Sequence, residues 1–296
     1  MNKFLIKKYW SKYKIFIKLI ITLILFYLII IRIDFSETFS YFKKINLLII
    51  IPFILYPLGI YISTIKWKIG LNAKIKIYKL FKIYWISNFF SNFLPSTIGG
   101  DSYKLITLKK YGLKDIFKSV ILDRGSGVFS LLLLLSIFGI NLYFFFKNNF
   151  FIYVSLLFLL LVLLFIIIFI FAPLEKTFLS KYKIILKNNL NKLFILILLS
   201  LIFIFLGGIA FWSYFLMFDI HLNFYHLFLI YLMVQLISML PISLNGWGLR
   251  EYSFIYLVGL LGVPPEISLA IALISRFAGL IASSFGGLIY LFDRSD

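Results

Sequence analysis

The sequence predicts an all-α polytopic integral membrane protein built as an inverted repeat, and three observations predict it. Of its 296 residues 62% are hydrophobic and only 14% charged, too little polar material to clothe a water-soluble globule of that size. Apolar runs of roughly 20 residues, the length that crosses a bilayer, recur along the chain. The third observation is internal: two glycine-broken stretches read alike. One carries Pro95, Gly99-Gly100-Asp101 and Lys104; the other carries Pro241, Asn245-Gly246-Trp247-Gly248 and Arg250. In both, glycine follows proline by five positions (95 to 100, 241 to 246) and a base follows by nine (95 to 104, 241 to 250). Each ends on an arginine, after Asp123 at Arg124 and after Ser275 at Arg276. Duplicated units with broken helices are a common way to build a substrate site inside a bilayer.

Taken in order, the run at 15–32 has six lysines before and at its start (3, 7, 8, 12, 14 and 18), lacks a small-residue cleavage site and reads as a retained anchor. Runs at 45–65, 117–140, 150–172, 193–217 and 266–291 give the remaining full spans, about six in all. The stretches at 80–95 and 226–241 each stop at a proline followed by glycine, and a short run lies at 252–261.

Loop charge decides whether the first of these crosses. Lysine clusters precede residue 19 and lie at 66–82, 104–118 and 176–192. A re-entrant segment at 83–98 keeps all four clusters on the cytoplasmic side and leaves Arg32, Lys43, Lys44, Lys147 and Arg250 outside, as the positive-inside rule asks. Three full spans then separate the copies, so the second enters from the outer face. The expectation is one domain over 1–296, with halves at roughly 15–140 and 150–292. It would lie multi-pass in a bacterial or archaeal plasma membrane, N-terminus and C-terminus both cytoplasmic. Tyr9, Trp10, Trp67, Tyr84, Trp85, Trp212 and Tyr214 are expected in the interfacial belts.

Net charge is +19, but the bases sit between apolar runs, which points to membrane topology and anionic lipid rather than nucleic acid. There is no cysteine, which excludes disulfides and thiolate chemistry. His221 and His226 have no acidic partner at ligand spacing, and Gly99-Gly100 lacks the Gly-Lys-Ser/Thr of a phosphate loop. No cofactor and no metal is expected.

Arginine usage marks the candidate site. Only Arg32, Arg124, Arg250, Arg276 and Arg294 interrupt a chain that otherwise writes Lys, and three of them fall inside the repeated units. A guanidinium stays charged when desolvated and grips phosphate with a planar fork. The expected substrate-binding set is Gly99, Gly100, Asp101, Lys104, Asp123, Arg124, Asn245, Gly246, Gly248, Arg250, Glu251 and Arg276. The glycines free backbone to turn, Asp101 or Ser102 caps a new helix after Gly100, and Gly248 opens another before Arg250. The acids serve as charge balance or as proton or headgroup contacts.

These residues resemble the lysylphosphatidylglycerol synthase transmembrane family, which includes the flippase-like membrane domain of the bacterial multiple peptide resistance factor. The carriers of the resemblance are Leu94-Pro95, Gly99-Gly100-Asp101, Leu122-Asp123-Arg124 and Pro241 through Glu251. Lys104, Asp123 and Asn245 stand where that family often has Arg, Glu and Gly. The resemblance implies translocation of a lipid with an anionic headgroup, such as a phospholipid, an aminoacylated phospholipid or a polyprenyl phosphate. It does not imply lipid synthesis, because the soluble transferase domain is not in this sequence. Membrane lipids, and a second copy of the chain, are the expected partners. Two alternatives stay open. One is a membrane-embedded transferase using a lipid-linked donor, with Asp34 and Glu37 as its carboxylates. The other is a lipid-sensing scaffold subunit.

Overall fold

The computed structural model describes residues 3–31, 33–71, 73–93, 98–146, 150–171, 190–244 and 246–292. Among them the regular structure is helical, with no strand. A bilayer offers the backbone no water to bond, so each segment must satisfy its own amides, which a helix does. Helix α1 (Lys3–Ile30) leads into α2 (Phe35–Ser40), and their apolar parts meet at 87°. Asp34 makes that corner by accepting from the amides of Ser36 (2.7 Å) and Glu37 (3.2 Å).

Each half then shows the same order of elements. In the first, α3 (Ile50–Gly70) is followed by the short helices α4 (Ile77–Phe93) and α5 (Ile98–Thr107), then by the long α6 (Leu113–Phe146). Helix α7 (Phe150–Phe171) lies against α6. In the second, α8 (Leu190–Leu216) is followed by α9 (Phe224–Met239) and α10 (Leu249–Gly259), then by α11 (Pro265–Phe292). By length and composition 47–70, 113–139, 191–216 and 265–292 can each cross a membrane, and the bent α1–α2 pair makes a fifth candidate. The protein is a polytopic membrane protein.

Both broken elements fold back on themselves. Ser87 of α4 donates to the Gly100 carbonyl of α5 (2.8 Å), and Lys104, further along α5, sits over Tyr84, further back in α4 (3.6 Å). The register therefore runs antiparallel. A side chain at Gly100 would collide with the Ser87 carbonyl and the Ser91 hydroxyl, so glycine is what lets the two helices close. In the second half Phe211 of α8 touches both Tyr231 of α9 (5.5 Å) and Phe254 of α10 (5.3 Å), while Gly246 returns against Ser238. Gly246 and Gly248 have φ of 77° and 76°, a conformation that L side chains resist. Helix α1 braces this turn, with Thr22 accepting from the Leu244 amide (3.0 Å).

The halves interlock. Helices α3 and α8 run antiparallel: Asn46 bonds the Met217 carbonyl (3.0 Å), Phe203 covers Gly59, and Lys66 donates to Ser200 (3.3 Å). Since α3 feeds the first hairpin and α8 the second, the hairpins enter from opposite faces. The closing helix of each half packs on the hairpin of the other. Trp85 of α4 donates to the Ala282 carbonyl of α11 (3.0 Å), and Tyr225 of α9 donates to the Phe138 carbonyl of α6 (3.2 Å).

Several expectations change here. Trp67 is wholly buried with its indole donating to Ser119 (2.9 Å), and Tyr84, Trp85 and Tyr214 point inward, not to an interfacial belt. Trp212 donates to the Leu222 carbonyl (3.3 Å). Tyr9 and Trp10 have side chains outside the described residues, as has Pro95 with its neighbours 94–97. Lys66, taken from sequence as a loop base, is a buried residue of α3. Arg250, taken as an outer-face base, faces the interior. Helix α5 begins ahead of Gly99 and Gly100 rather than after them. Trp67, Tyr84, Trp85, Lys66 and Arg250 each have a polar partner on a neighbouring helix that sequence spacing does not reveal.

Candidate functional site

The two hairpins meet α3, α6, α8 and α11 around two adjoining cavities of about 440 Å³ and 310 Å³. Asn88 of α4, Phe203 of α8, Tyr231 and Gln235 of α9, and Arg276 of α11 line both. They form one polar chamber inside a helix bundle whose outer surfaces are mostly Phe, Ile and Leu.

The larger cavity belongs chiefly to the first half. Asp123 of α6 is its centre, 4% exposed. It is 3.0 Å from the Lys66 ammonium and 3.7 Å from that of Lys104, and it accepts from the Tyr84 hydroxyl (2.9 Å). Lys104 also sits between the rings of Tyr84 (3.6 Å) and Trp67 (4.9 Å), so aromatic faces complete its desolvated shell. One residue on, Arg124 points to another helix face and pairs with Asp101 at 2.6 Å. Arg124 is 47% exposed, so this pair lies where the cavity opens.

The smaller cavity belongs to the second half. Arg276, 13% exposed, sends Nε (3.0 Å) and Nη2 (2.8 Å) to one oxygen of Glu251. Nη2 also lies 3.4 Å from the Gly246 carbonyl, and the guanidinium stacks 4.3 Å from the Trp247 ring centroid. The second Glu251 oxygen accepts from the Gly248 amide (2.8 Å). One guanidinium and one carboxylate thus hold the whole turn from Gly246 to Glu251. Arg250 lines the cavity with Nη2 3.5 Å from the Ser275 hydroxyl.

Of the residues singled out from sequence, Asp101, Lys104, Asp123, Arg124, Arg250 and Arg276 line the chamber. Gly99, Gly100 and Gly248 shape the hairpins behind it, Gly246 offers its carbonyl to Arg276, and Glu251 is buried behind that arginine. Asn245 lies outside the described residues. Sequence reading missed Lys66, Tyr84, Asn88, Tyr214, Tyr231 and Gln235. Asn88 and Gln235 carried a usable signal, since an amide inside an apolar membrane helix needs a partner. Asn88 indeed donates to Tyr56 (2.9 Å) and Gln235 to Tyr231 (2.9 Å).

Electrostatically the chamber is cationic. Lys66, Lys104, Arg124, Arg250 and Arg276 face Asp101, Asp123 and Glu251, an excess of two positive charges among the described residues. Isolated charges in such surroundings are costly, so the excess favours an anion. Among the described residues no group of three His, Asp or Glu side chains gathers as a metal site would require.

The family model of the lysylphosphatidylglycerol synthase transmembrane region matches residues 15–287. No curated protein and no solved structure matches the chain. The chain belongs to the lysylphosphatidylglycerol synthase transmembrane-region family.

Proposed function

We propose that this family member is a carrier that moves a lipid across the membrane by its anionic headgroup. The headgroup enters the chamber while the acyl chains stay in the bilayer. The observation that carries the reading is the excess of cations over carboxylates around cavities built jointly by both hairpins. An uncompensated positive site in low dielectric attracts an anion strongly. Two hairpins entering from opposite faces give the geometry that alternating access uses, with one half rocking against the other around a fixed site. Substrates of this class are phospholipids, aminoacylated phospholipids and polyprenyl phosphates.

The transferase alternative draws no support from its own residues. Asp34 is engaged as a helix cap, and Glu37 accepts from the Tyr41 hydroxyl at 3.2 Å. Both are used where they stand.

Reconstitution tests the proposal. Proteoliposomes holding fluorescent phosphatidylglycerol in both leaflets are treated with a membrane-impermeant quencher. A carrier exposes more than the outer-leaflet share to quenching, and Glu251→Gln combined with Arg276→Gln slows that exposure without leaving a lone buried charge. Asp34→Asn, remote from the chamber, leaves the rate as it was. Quenching limited to the outer leaflet in the wild-type protein, for every lipid of the three classes, overturns the proposal.

A further inference from the structure

A single position separates the halves chemically. Nine residues past the proline of the first copy, Lys104 looks across at Asp123 of the closing helix, 3.7 Å away. Nine residues past the proline of the second copy, Arg250 looks across at Ser275 of the closing helix, 3.5 Å away. Asp123 directly precedes Arg124 just as Ser275 directly precedes Arg276. The carboxylate that answers the cation in one half is a hydroxyl in the other. Glu251 does not stand in for it: its oxygens turn to Arg276 and the Gly248 amide, and it makes no ion pair with Arg250 within 4 Å.

The surroundings of Arg250 suit a ligand of many acceptors. Ser275, Tyr214, Tyr231 and Gln235 line the same cavity of about 310 Å³. Gln235 donates to the Tyr231 oxygen (2.9 Å), which leaves the Tyr231 proton to give away. A guanidinium offers two parallel N–H groups, keeps its charge when desolvated, and matches the oxygen spacing of a phosphate.

We infer that the cavity onto which Arg250, Ser275, Tyr231 and Gln235 face is a seat for an oxyanion, the phosphate group of the ligand, which takes the role toward Arg250 that Asp123 takes toward Lys104 in the first half. The inference rests on the reading that the chamber receives an anionic headgroup. It goes further by giving the phosphate to the second half's side of the chamber and denying it the Lys104 side, which is already occupied from within. The same chemistry admits a lipid headgroup and free phosphate.

The test returns the missing carboxylate. The full chain in a maltoside detergent, which carries no phosphate, is titrated with radiolabelled inorganic phosphate and, separately, with fluorescent short-chain phosphatidylglycerol. Ser275→Asp is expected to weaken binding by about tenfold or more relative to Ser275→Asn, which has the same size but no charge. Arg250→Gln gives a loss of similar size should the Asp variant not fold. Loss with both probes assigns the seat to phosphate from either source, and loss with the lipid probe alone assigns it to the headgroup. Equal binding of both probes by the Asp and Asn variants overturns the inference, as does a greater loss from Lys104→Gln than from Arg250→Gln. Charge-sensitive binding without any translocation by the wild-type protein sinks the carrier reading and leaves the seat standing. Translocation by Ser275→Asp at the wild-type rate, with unchanged binding, sinks the seat and leaves the carrier.

Discussion

Every cation that the first half turns to the chamber has a carboxylate within 4 Å, Lys66 and Lys104 sharing Asp123, whereas in the second half Arg250 has none among the described residues. Around Asp123 two lysines and a tyrosine converge, and Arg124 is answered by Asp101. In the second half Glu251 answers Arg276, and among the described residues Arg250 has no carboxylate within 4 Å and meets the Ser275 hydroxyl. Trp247 stands at the offset of Asp101, six residues past its proline, and receives Arg276 on its ring face. The same backbone plan therefore carries a locked version and an open version of one polar cluster. A buried ion pair contributes little net stability, yet losing one partner is costly. On the proposed reading, the first cluster is a structural anchor and the second receives the ligand.

Substitutions can break or sharpen that contrast. The largest effect is expected from Asp123→Ala, which strands Lys66, Lys104 and the Tyr84 hydroxyl at once. A loss of about 5 kcal/mol, the upper end for a broken buried pair, would show as a collapsed melting transition in detergent. Glu251→Ala strands Arg276 and the Gly248 amide and is expected to cost about 3 kcal/mol or more. Combining it with Arg276→Gln should recover most of that loss, measured by the same melt. If the second half were as locked as the first, the two single variants would melt alike. Gly100→Ala forces α5 away from Ser87 and Ser91 and is expected to cost about 1–3 kcal/mol, as overpacking does. The smallest effect is expected from Arg124→Gln. Its pair with Asp101 is half exposed, and about 1 kcal/mol or less should be lost in melting, with a weaker salt dependence than the wild type. A loss from Arg124→Gln as large as that from Glu251→Ala would contradict the assignment of the exposed pair to the cavity mouth.

Much of the architecture was legible before any coordinate. The runs at 45–65, 117–140, 193–217 and 266–291 correspond to α3, α6, α8 and α11, because a span announces itself by length and apolarity alone, and the run at 150–172 is the helix α7. The proline and glycine pairs located both hairpins. Gly246 and Gly248 do take left-handed φ, and Gly100 does sit at a close helix contact. Six of the twelve residues expected to bind substrate line the cavities. The misreadings share one cause. Lys66, Tyr84, Trp85 and Tyr214 lie near the ends of apolar runs, where a basic or aromatic residue usually marks the water interface. Here the broken hairpins bring polar groups to mid-bundle, so a residue near one helix end can face inward.

The sequence by itself determined that this chain lives in a membrane, where its helices lie, and that two broken units repeat. These are local properties: apolar length, loop charge and backbone freedom are set by consecutive residues. Only the tertiary structure decided that Lys66 answers Asp123, that Glu251 holds Arg276, and that Arg250 faces a serine. Those pairings join different helices, α3 to α6 and α10 to α11, and the identity of a partner across a bilayer interior depends on how these helices pack. A charge buried in apolar surroundings must find some partner. Which partner, and whether it is a side chain or a ligand, is settled by packing.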